Sequence, residues 1–218
     1  MKDEERTAHG NSLFVAVEGI DGSGKSLLVE KLKVFFEGFE ERKVVFLEEP
    51  TDLLKREIEA NHGEKFNAEL NALLFAADRL KQYDETARKV LDGGGIVISD
   101  RSVVSSLAYQ RAAGAPLDWL ETVNRCVRFP DLVILLDLPA TVGIQRTAEG
   151  GETTAFEDTV TNVEFQRKVR ENYLELAEEH RDSFYTRRSD HYNPKDLVHM
   201  ASEEILDRLE NIHRGKKP

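Results

Sequence analysis

Residues 19–26, Gly19-Ile20-Asp21-Gly22-Ser23-Gly24-Lys25-Ser26, fill the pattern G-x-x-x-x-G-K-[ST]. Its glycines let the backbone curl until successive N–H groups face inward around an anion, and a helix opening at Lys25 adds the positive end of its dipole. In such a loop the lysine reaches the β- and γ-phosphates of a nucleoside triphosphate, and the hydroxyl corresponding to Ser26 ligates magnesium. Gly19 to Leu27 are therefore the candidate triphosphate cradle. A glycine-rich turn with no ligand fits less well, because the loop follows an apolar strand-like run and precedes an amphipathic helical one. A second chemical signal is Asp100-Arg101, at the end of the apolar run Ile96-Val97-Ile98-Ser99-Asp100. Ligands of open parallel sheets lie beyond the carboxyl ends of the strands. An aspartate there can hold magnesium, directly or through water, and an arginine can grip an acceptor phosphate. A surface ion pair is the bland reading of the same dipeptide.

The elements that would position these groups alternate short apolar runs with longer helical periods, the pattern of a parallel sheet with crossover helices. Ser12–Glu18, Lys43–Leu47, Ile96–Asp100, Leu132–Asp137 and, more weakly, Phe184–Arg187 read as five strands. Lys25–Glu37 carries Leu27, Leu28, Leu32, Phe35 and Phe36 at helical spacing, and Glu64–Leu91 reads as one long helical region closed by Gly93-Gly94-Gly95. Asn193-Pro194 is a cap and first-turn proline for a last helix to about Ile212. The fold expected is a three-layer α/β/α P-loop NTPase domain over residues 12–213, with a five-stranded parallel sheet. Glu149–Asp158, with adjacent glycines and no apolar period, is expected to be a mobile loop, a short lid over the nucleotide or a simple connector. Residues 1–11 are expected to be a flexible tail.

Composition narrows the class. The chain of 218 residues carries a net charge of −11, which disfavours bulk binding to nucleic acid or anionic membranes. No apolar run reaches the ~18 residues of a membrane span, and the polar first residues lack the core of a signal peptide, so a cytoplasmic location is expected. The one cysteine, Cys126, cannot form an intramolecular disulfide or a cysteine-based zinc site, and is expected to be a buried small hydrophobe.

The two motifs have company, in order: Glu49-Pro50-Thr51 after the second strand, Leu73-Leu74-Phe75-Ala76-Ala77-Asp78-Arg79 before the third, and Ser105-Ser106-Leu107-Ala108-Tyr109-Gln110 after Asp100-Arg101. Leu135-Leu136-Asp137-Leu138-Pro139 and Val169-Arg170-Glu171-Asn172-Tyr173 complete the set. From about Leu13 to Leu209 the chain resembles the thymidylate kinase family. The resemblance implies in-line transfer of the ATP γ-phosphoryl group to dTMP, with ATP and magnesium as cofactors and a homodimeric state. It implies that Phe75 stacks on thymine and Arg79 bonds a base carbonyl. By the same likeness Asp21 accepts from the 3′-hydroxyl, Arg101 grips the 5′-phosphate, and Glu49 lies near that phosphate and the magnesium. Ser105 and Ser106 fall near the base, and Tyr109 crowds the 2′ position. Ser26 and Asp100 are the metal candidates; Lys25 and Arg101 are catalytic.

Four positions depart from the family pattern. Leu27 replaces a threonine, Glu48 an arginine, and Ser102 a tyrosine, while Ala155 stands where a lid arginine usually precedes Phe-Glu. The stretch 149–158 holds four acids and no basic residue. Relatives without a lid arginine tend to carry one inside the P-loop, where this chain has Gly22. Arg146, just before the lid, is the local replacement and the third catalytic candidate. Two other readings stay open. A deoxynucleoside kinase would use Glu49 as general base on a 5′-hydroxyl, and a nucleotide-binding homologue would bind without fast turnover.

Overall fold

The computed structural model describes residues 11–60, 67–150 and 163–214. Five strands, β1 (Leu13–Glu18), β2 (Val44–Glu48), β3 (Ile96–Asp100), β4 (Leu132–Asp137) and β5 (Phe184–Arg188), form one parallel sheet in the order β2-β3-β1-β4-β5. The helices that follow in chain order are α1 (Lys25–Phe35), α2 (Asp52–Ala60), α3 (Ala68–Gln82), α4 (Arg88–Asp92), α5 (Val103–Ala112), α6 (Leu117–Asn124), α7 (Ala140–Gly150), α8 (Val163–Glu179) and α9 (Pro194–His213).

Alternation along the strands divides the core into two layers. Leu13, Val15 and Val17 of β1, with Ile96, Ile98, Ile134 and Leu136, pack against Leu28 and Leu32 of α1 and Ile205 and Leu209 of α9. Phe14, Val97, Val133 and Leu135 face the other way, onto Leu107 and Ala108 of α5, Leu120 of α6 and Val169, Tyr173 and Leu176 of α8. Because β1, β3 and β4 are buried throughout, their sequences are apolar on both faces rather than alternating.

The helices start where local chemistry predicts. Asn67 caps α3 by accepting from Leu70 N–H, Asn193 caps α9 by accepting from Lys195 and Asp196 N–H, and Ser102 caps α5 by accepting from Val104 N–H. The long helical region expected over 64–91 is α3 and α4 joined by a π-helical turn at Tyr83–Ala87. Its first residues, 64–66, lie outside the described ones. So does the expected tail, apart from Asn11, and so do residues 151–158 of the expected lid. The lid's first two residues, Glu149 and Gly150, instead end α7.

One expectation fails. Cys126 is exposed, not buried: it follows α6 in a turn, and the neighbouring Val127 takes the core position.

Candidate active site

The carboxyl ends of all five strands carry charged residues: Glu18, Glu48, Asp100, Asp137 and Arg188. The P-loop leaves β1, at the centre of this edge. Gly22 has φ +73° and lies against α7. A Cβ on Gly22 would sit 2.3 Å from the Gly143 carbonyl oxygen, and one on Gly143 would sit 2.5 Å from that of Asp21. The loop and α7 thus meet backbone to backbone, which only glycine permits at both positions. Arg146, one turn further along α7, is exposed and extends Nη1 to within 3.4 Å of the Gly22 carbonyl oxygen.

Lys25 opens α1, and its buried ammonium donates to the Ile20 carbonyl oxygen at 2.9 Å, closing the loop on itself. Burial, and next the nearby Arg101, lower its pKa to about 8. Ser26 Oγ donates to Asp100 Oδ2 at 3.0 Å, so both metal candidates share one spot. A hydroxyl and a carboxylate there are hard oxygen donors of the type magnesium takes while keeping water and phosphate ligands. Gly19, Ile20, Ser23 and Gly24 complete the loop, and Leu27 points partly to solvent, 43% exposed.

Arg101 follows β3 in the left-handed region, at φ +72°, a conformation that costs a non-glycine residue about 1–2 kcal/mol. Its Nη2 donates to Asp21 Oδ1 at 2.5 Å, and its guanidinium lies 5.0 Å from the centroid of the Tyr109 ring. Gln166 of α8 donates to the other oxygen of Asp21 at 2.9 Å. Partial burial opposes ionisation of Asp21, but Arg101 and Lys25 outweigh it and hold the carboxyl below its usual range. Tyr109 Oη is buried near Arg101 and Asp21 without reaching hydrogen-bond geometry with either, and burial raises its pKa well above the ordinary phenol value.

Behind this cluster lies a second one. Arg79 of α3 is buried and donates from Nε to Glu49 Oε2 at 2.8 Å, and from Nη2 to Ser106 Oγ at 2.9 Å and the Ser102 carbonyl oxygen at 3.2 Å. Its Nη1 donates to Asn124 Oδ1. Next to it, Asp78 accepts from Thr51 N–H at 2.8 Å, so the Asp-Arg pair of α3 fastens both ends of the Glu49-Pro50-Thr51 turn. Burial raises the pKa of Glu49 even though Arg79 opposes the shift. Glu48, the acid at a usually basic position, pairs with Lys55 of α2. Phe75, one turn before Arg79, is half-buried.

Sequence reasoning overlooked two groups at the strand ends. Glu18, fully buried, accepts from Ser102 Oγ at 2.7 Å, Ser105 Oγ at 2.7 Å and Tyr173 Oη at 2.8 Å. Arg170 of α8 makes a two-pronged ion pair with Asp137, at 2.6 and 2.9 Å. Glu18 ended the first expected strand and Arg170 sat in a quoted motif, but neither setting reveals what the side chain touches.

The P-loop, the Ser26–Asp100 oxygen pair and the Arg101–Asp21 pair together offer the groups that phosphoryl transfer requires. Comparison with known proteins names its kind. The profile described as "Thymidylate kinase" matches residues 17–200.

The chain belongs to the thymidylate kinase family.

It is similar to a "Probable thymidylate kinase" of Thermococcus kodakarensis, with 43% identity over 179 residues covering 76% of this chain and 84% of that protein. The protein of the same description from Thermococcus gammatolerans is 38% identical over 209 residues, which cover 89% of this chain and 98% of it. One from Methanosphaera stadtmanae is 37% identical over 177 residues, with 76% and 84% covered. The sheet order and the paired motifs described above are thus those of a thymidylate kinase family member, whose phosphate donor is ATP. Among the described residues no helix is long and apolar enough to cross a membrane.

Proposed function

We propose that this chain transfers the γ-phosphoryl group of ATP to the 5′-phosphate of dTMP, giving dTDP and ADP, in the cytoplasm. The observation that carries this reading is the meeting of Lys25, the Ser26–Asp100 pair and the Arg101–Asp21 pair at the end of β1 and β3. In this reading an oxygen of the acceptor phosphate attacks the γ-phosphorus in line, and the bond to the β,γ-bridging oxygen breaks. The acceptor is already an anion near neutral pH, so no general base is required, and the protein's part is positioning and charge stabilisation.

Each side chain then has a task. Gly19 to Leu27 cradle the triphosphate, with Lys25 neutralising its β- and γ-phosphates. Ser26 and Asp100 would hold magnesium, which when bound neutralises charge on the donor phosphates. Arg101 grips the acceptor phosphate, exchanging its bond to Asp21 for one to the ligand. Asp21, so released, accepts from the 3′-hydroxyl. Phe75 stacks on the base. Tyr109, packed beside Arg101, bars a 2′-hydroxyl. Ser105 and Ser106 line the base side. Glu49 and Arg79 shape the acceptor pocket; four of the five N–H groups of Arg79 already meet protein acceptors, which leaves one on Nη1 for a base carbonyl. Arg146 supplies the catalytic arginine. Its place beside the Gly22 carbonyl supports that role, as does the steric closure of the loop position where relatives carry an arginine.

The ion pair between Glu49 and Arg79 disfavours Glu49 as a base on a 5′-hydroxyl. The experiment is a coupled assay for ADP with the purified protein, ATP, magnesium and each nucleoside monophosphate in turn, with thymidine as a further acceptor. dTMP turns over fastest, its ribose counterpart more slowly, and thymidine not at all. Consumption of thymidine in preference to dTMP would overturn the assignment. Arg146→Ala lowers ADP production; an unchanged rate removes Arg146 from the catalytic set.

The pairing of two copies is also proposed. Leu53 of α2 and Leu70 and Leu73 of α3 are 70%, 42% and 48% exposed, which supports a homodimer through these helices. Sedimentation equilibrium of Leu53→Glu against the unaltered chain tests it, the variant sedimenting as a monomer.

A further inference from the structure

We infer that Glu18 is a positioning residue for acceptor binding: it holds Arg101 in its left-handed conformation through the hydroxyls of Ser102 and Ser105. The inference rests on the reading of Arg101 as the group that grips the acceptor phosphate.

The carboxylate of Glu18 ends β1 and is sealed from solvent, 0% exposed. A buried carboxylate is costly unless donors surround it, and here three hydroxyls from two helices do. Ser102 Oγ donates to Oε1, while Ser105 Oγ and Tyr173 Oη donate to Oε2, leaving Ser105 Oγ and Tyr173 Oη 3.0 Å apart as the third side of a triangle. Both serine protons thus point away from Arg101 and towards Glu18. Ser105 Oγ then has lone pairs to offer, and Arg101 Nη1 donates to it at 3.4 Å. The chain of contacts runs from a cation through one hydroxyl to a buried anion.

Ser102 supplies a second fastening. It adjoins Arg101 in sequence, and its Oγ both bonds Glu18 and accepts from Val104 N–H, capping α5. On the other side Arg101 N–H donates to the Val17 carbonyl oxygen, at 3.0 Å. The left-handed residue is therefore clamped on both sides to the last two residues of β1, Val17 and Glu18. Strain of this kind persists only where the surroundings over-determine it.

Two acids consequently serve Arg101 in different ways. Asp21 touches the guanidinium directly on the side a phosphate would approach, and a ligand displaces it. Glu18 acts through hydroxyls from inside the protein and stays in place when the ligand arrives. Glu18 thus keeps the arginine aimed during the exchange.

The test is calorimetric binding of dTMP and, separately, of ATP with magnesium, for the unaltered chain, Glu18→Gln, Arg101→Ala and the double variant, with thermal melting of each. Glutamine keeps the volume but replaces one acceptor oxygen with a donor. The expected result for Glu18→Gln is about tenfold weaker dTMP binding with ATP affinity within about twofold. In the Arg101→Ala background the same change has no further effect on dTMP, because Glu18 acts through Arg101. A full additional loss there would overturn the inference, as would equal losses for both ligands in Glu18→Gln. Unchanged dTMP affinity in Arg101→Ala itself instead overturns the reading of Arg101 on which this one stands. Should Glu18→Gln fail to fold, Ser105→Ala removes the bridging hydroxyl alone: loss of dTMP affinity that vanishes in the Arg101→Ala background supports the inference, and loss that persists there assigns Ser105 to direct ligand contact and overturns it.

Discussion

Two arginine–carboxylate pairs stand within this site, and they differ in almost every physical respect. Arg79 and Glu49 have side chains 5% and 8% exposed, and Arg79 also meets Asn124, Ser102 and Ser106. Arg101 and Asp21 are 22% and 30% exposed, with an aromatic face on one side of the arginine and solvent on the other. The first pair is engaged at four of the five Arg79 N–H groups and joins the Glu49-Pro50-Thr51 turn to α3, α5 and α6. The second has donors to spare and a backbone under strain. An arginine that binds a ligand is recognised by what it leaves unspent, not by the acid beside it. Burial also makes the two pairs unequal energetically, since removing one partner of a sealed pair strands the other charge, whereas an open pair is screened by water.

The sharpest way to break this contrast is Arg101→Ala. Loss of a cation that stabilises transferring phosphoryl charge lowers turnover by about 10³-fold. Steady-state ADP production measures this, and the melting temperature stays close to that of the unaltered chain. Arg79→Met is expected to act first on stability. Leaving Glu49 buried and alone costs about 3 kcal/mol of stability, read from urea unfolding. The sign of its pH dependence follows. Burial already raises the Glu49 pKa, and without Arg79 it rises further, so the variant loses stability as pH rises from the ordinary carboxylate value of 4.5 toward that raised value, and is least impaired at the acid end. If Arg79→Met instead melted normally, the division between a sealed arginine that builds the pocket and an open one would fail.

Asn124→Ala is a smaller probe of the sealed pair. It removes one neutral acceptor from Arg79 and is expected to cost about 1–2 kcal/mol in urea unfolding with turnover little altered. The smallest effect sharpens the open pair. The Lys25 pKa of about 8 lies below the usual 10.5, chiefly through burial and next through Arg101. The folded chain therefore binds fewer protons here than the unfolded chain between those values, so stability rises with pH across that window. A triphosphate restores the charge on Lys25, so its binding at pH 8 takes up about half a proton and at pH 6 almost none. Calorimetry in buffers of different ionisation enthalpy reads this uptake, and Arg101→Ala diminishes it.

Much of this arrangement could be read before any coordinates. β3 and β4 run over the residues their apolar sequences indicate, and Asn193-Pro194 starts α9 as expected. The P-loop was legible because its chemistry is local: eight consecutive residues carry the whole device. The interior of the site was not, because its partners are distant. Glu18 meets Ser102, Ser105 and Tyr173, which lie 84, 87 and 155 residues further along. Arg79 finds Glu49 across 30 residues and Asn124 across 45, so nothing near Arg79 in sequence announces how many of its donors are engaged. Cys126 fails for a different reason. Cysteine's general preference for the interior is a weak guide at a helix end, where a shift of one position decides between core and solvent.

The contact between Gly22 and Gly143 sets a limit on how this enzyme could be altered. Its phosphate loop cannot settle closer to α7, because the two already touch backbone to backbone at these glycines. An engineer seeking faster turnover by planting a guanidinium in the loop would meet the Gly143 carbonyl first. The open route runs along α7 at Arg146, which is exposed and already reaches the Gly22 carbonyl, so that improvement, natural or designed, meets less obstruction there than at Gly22.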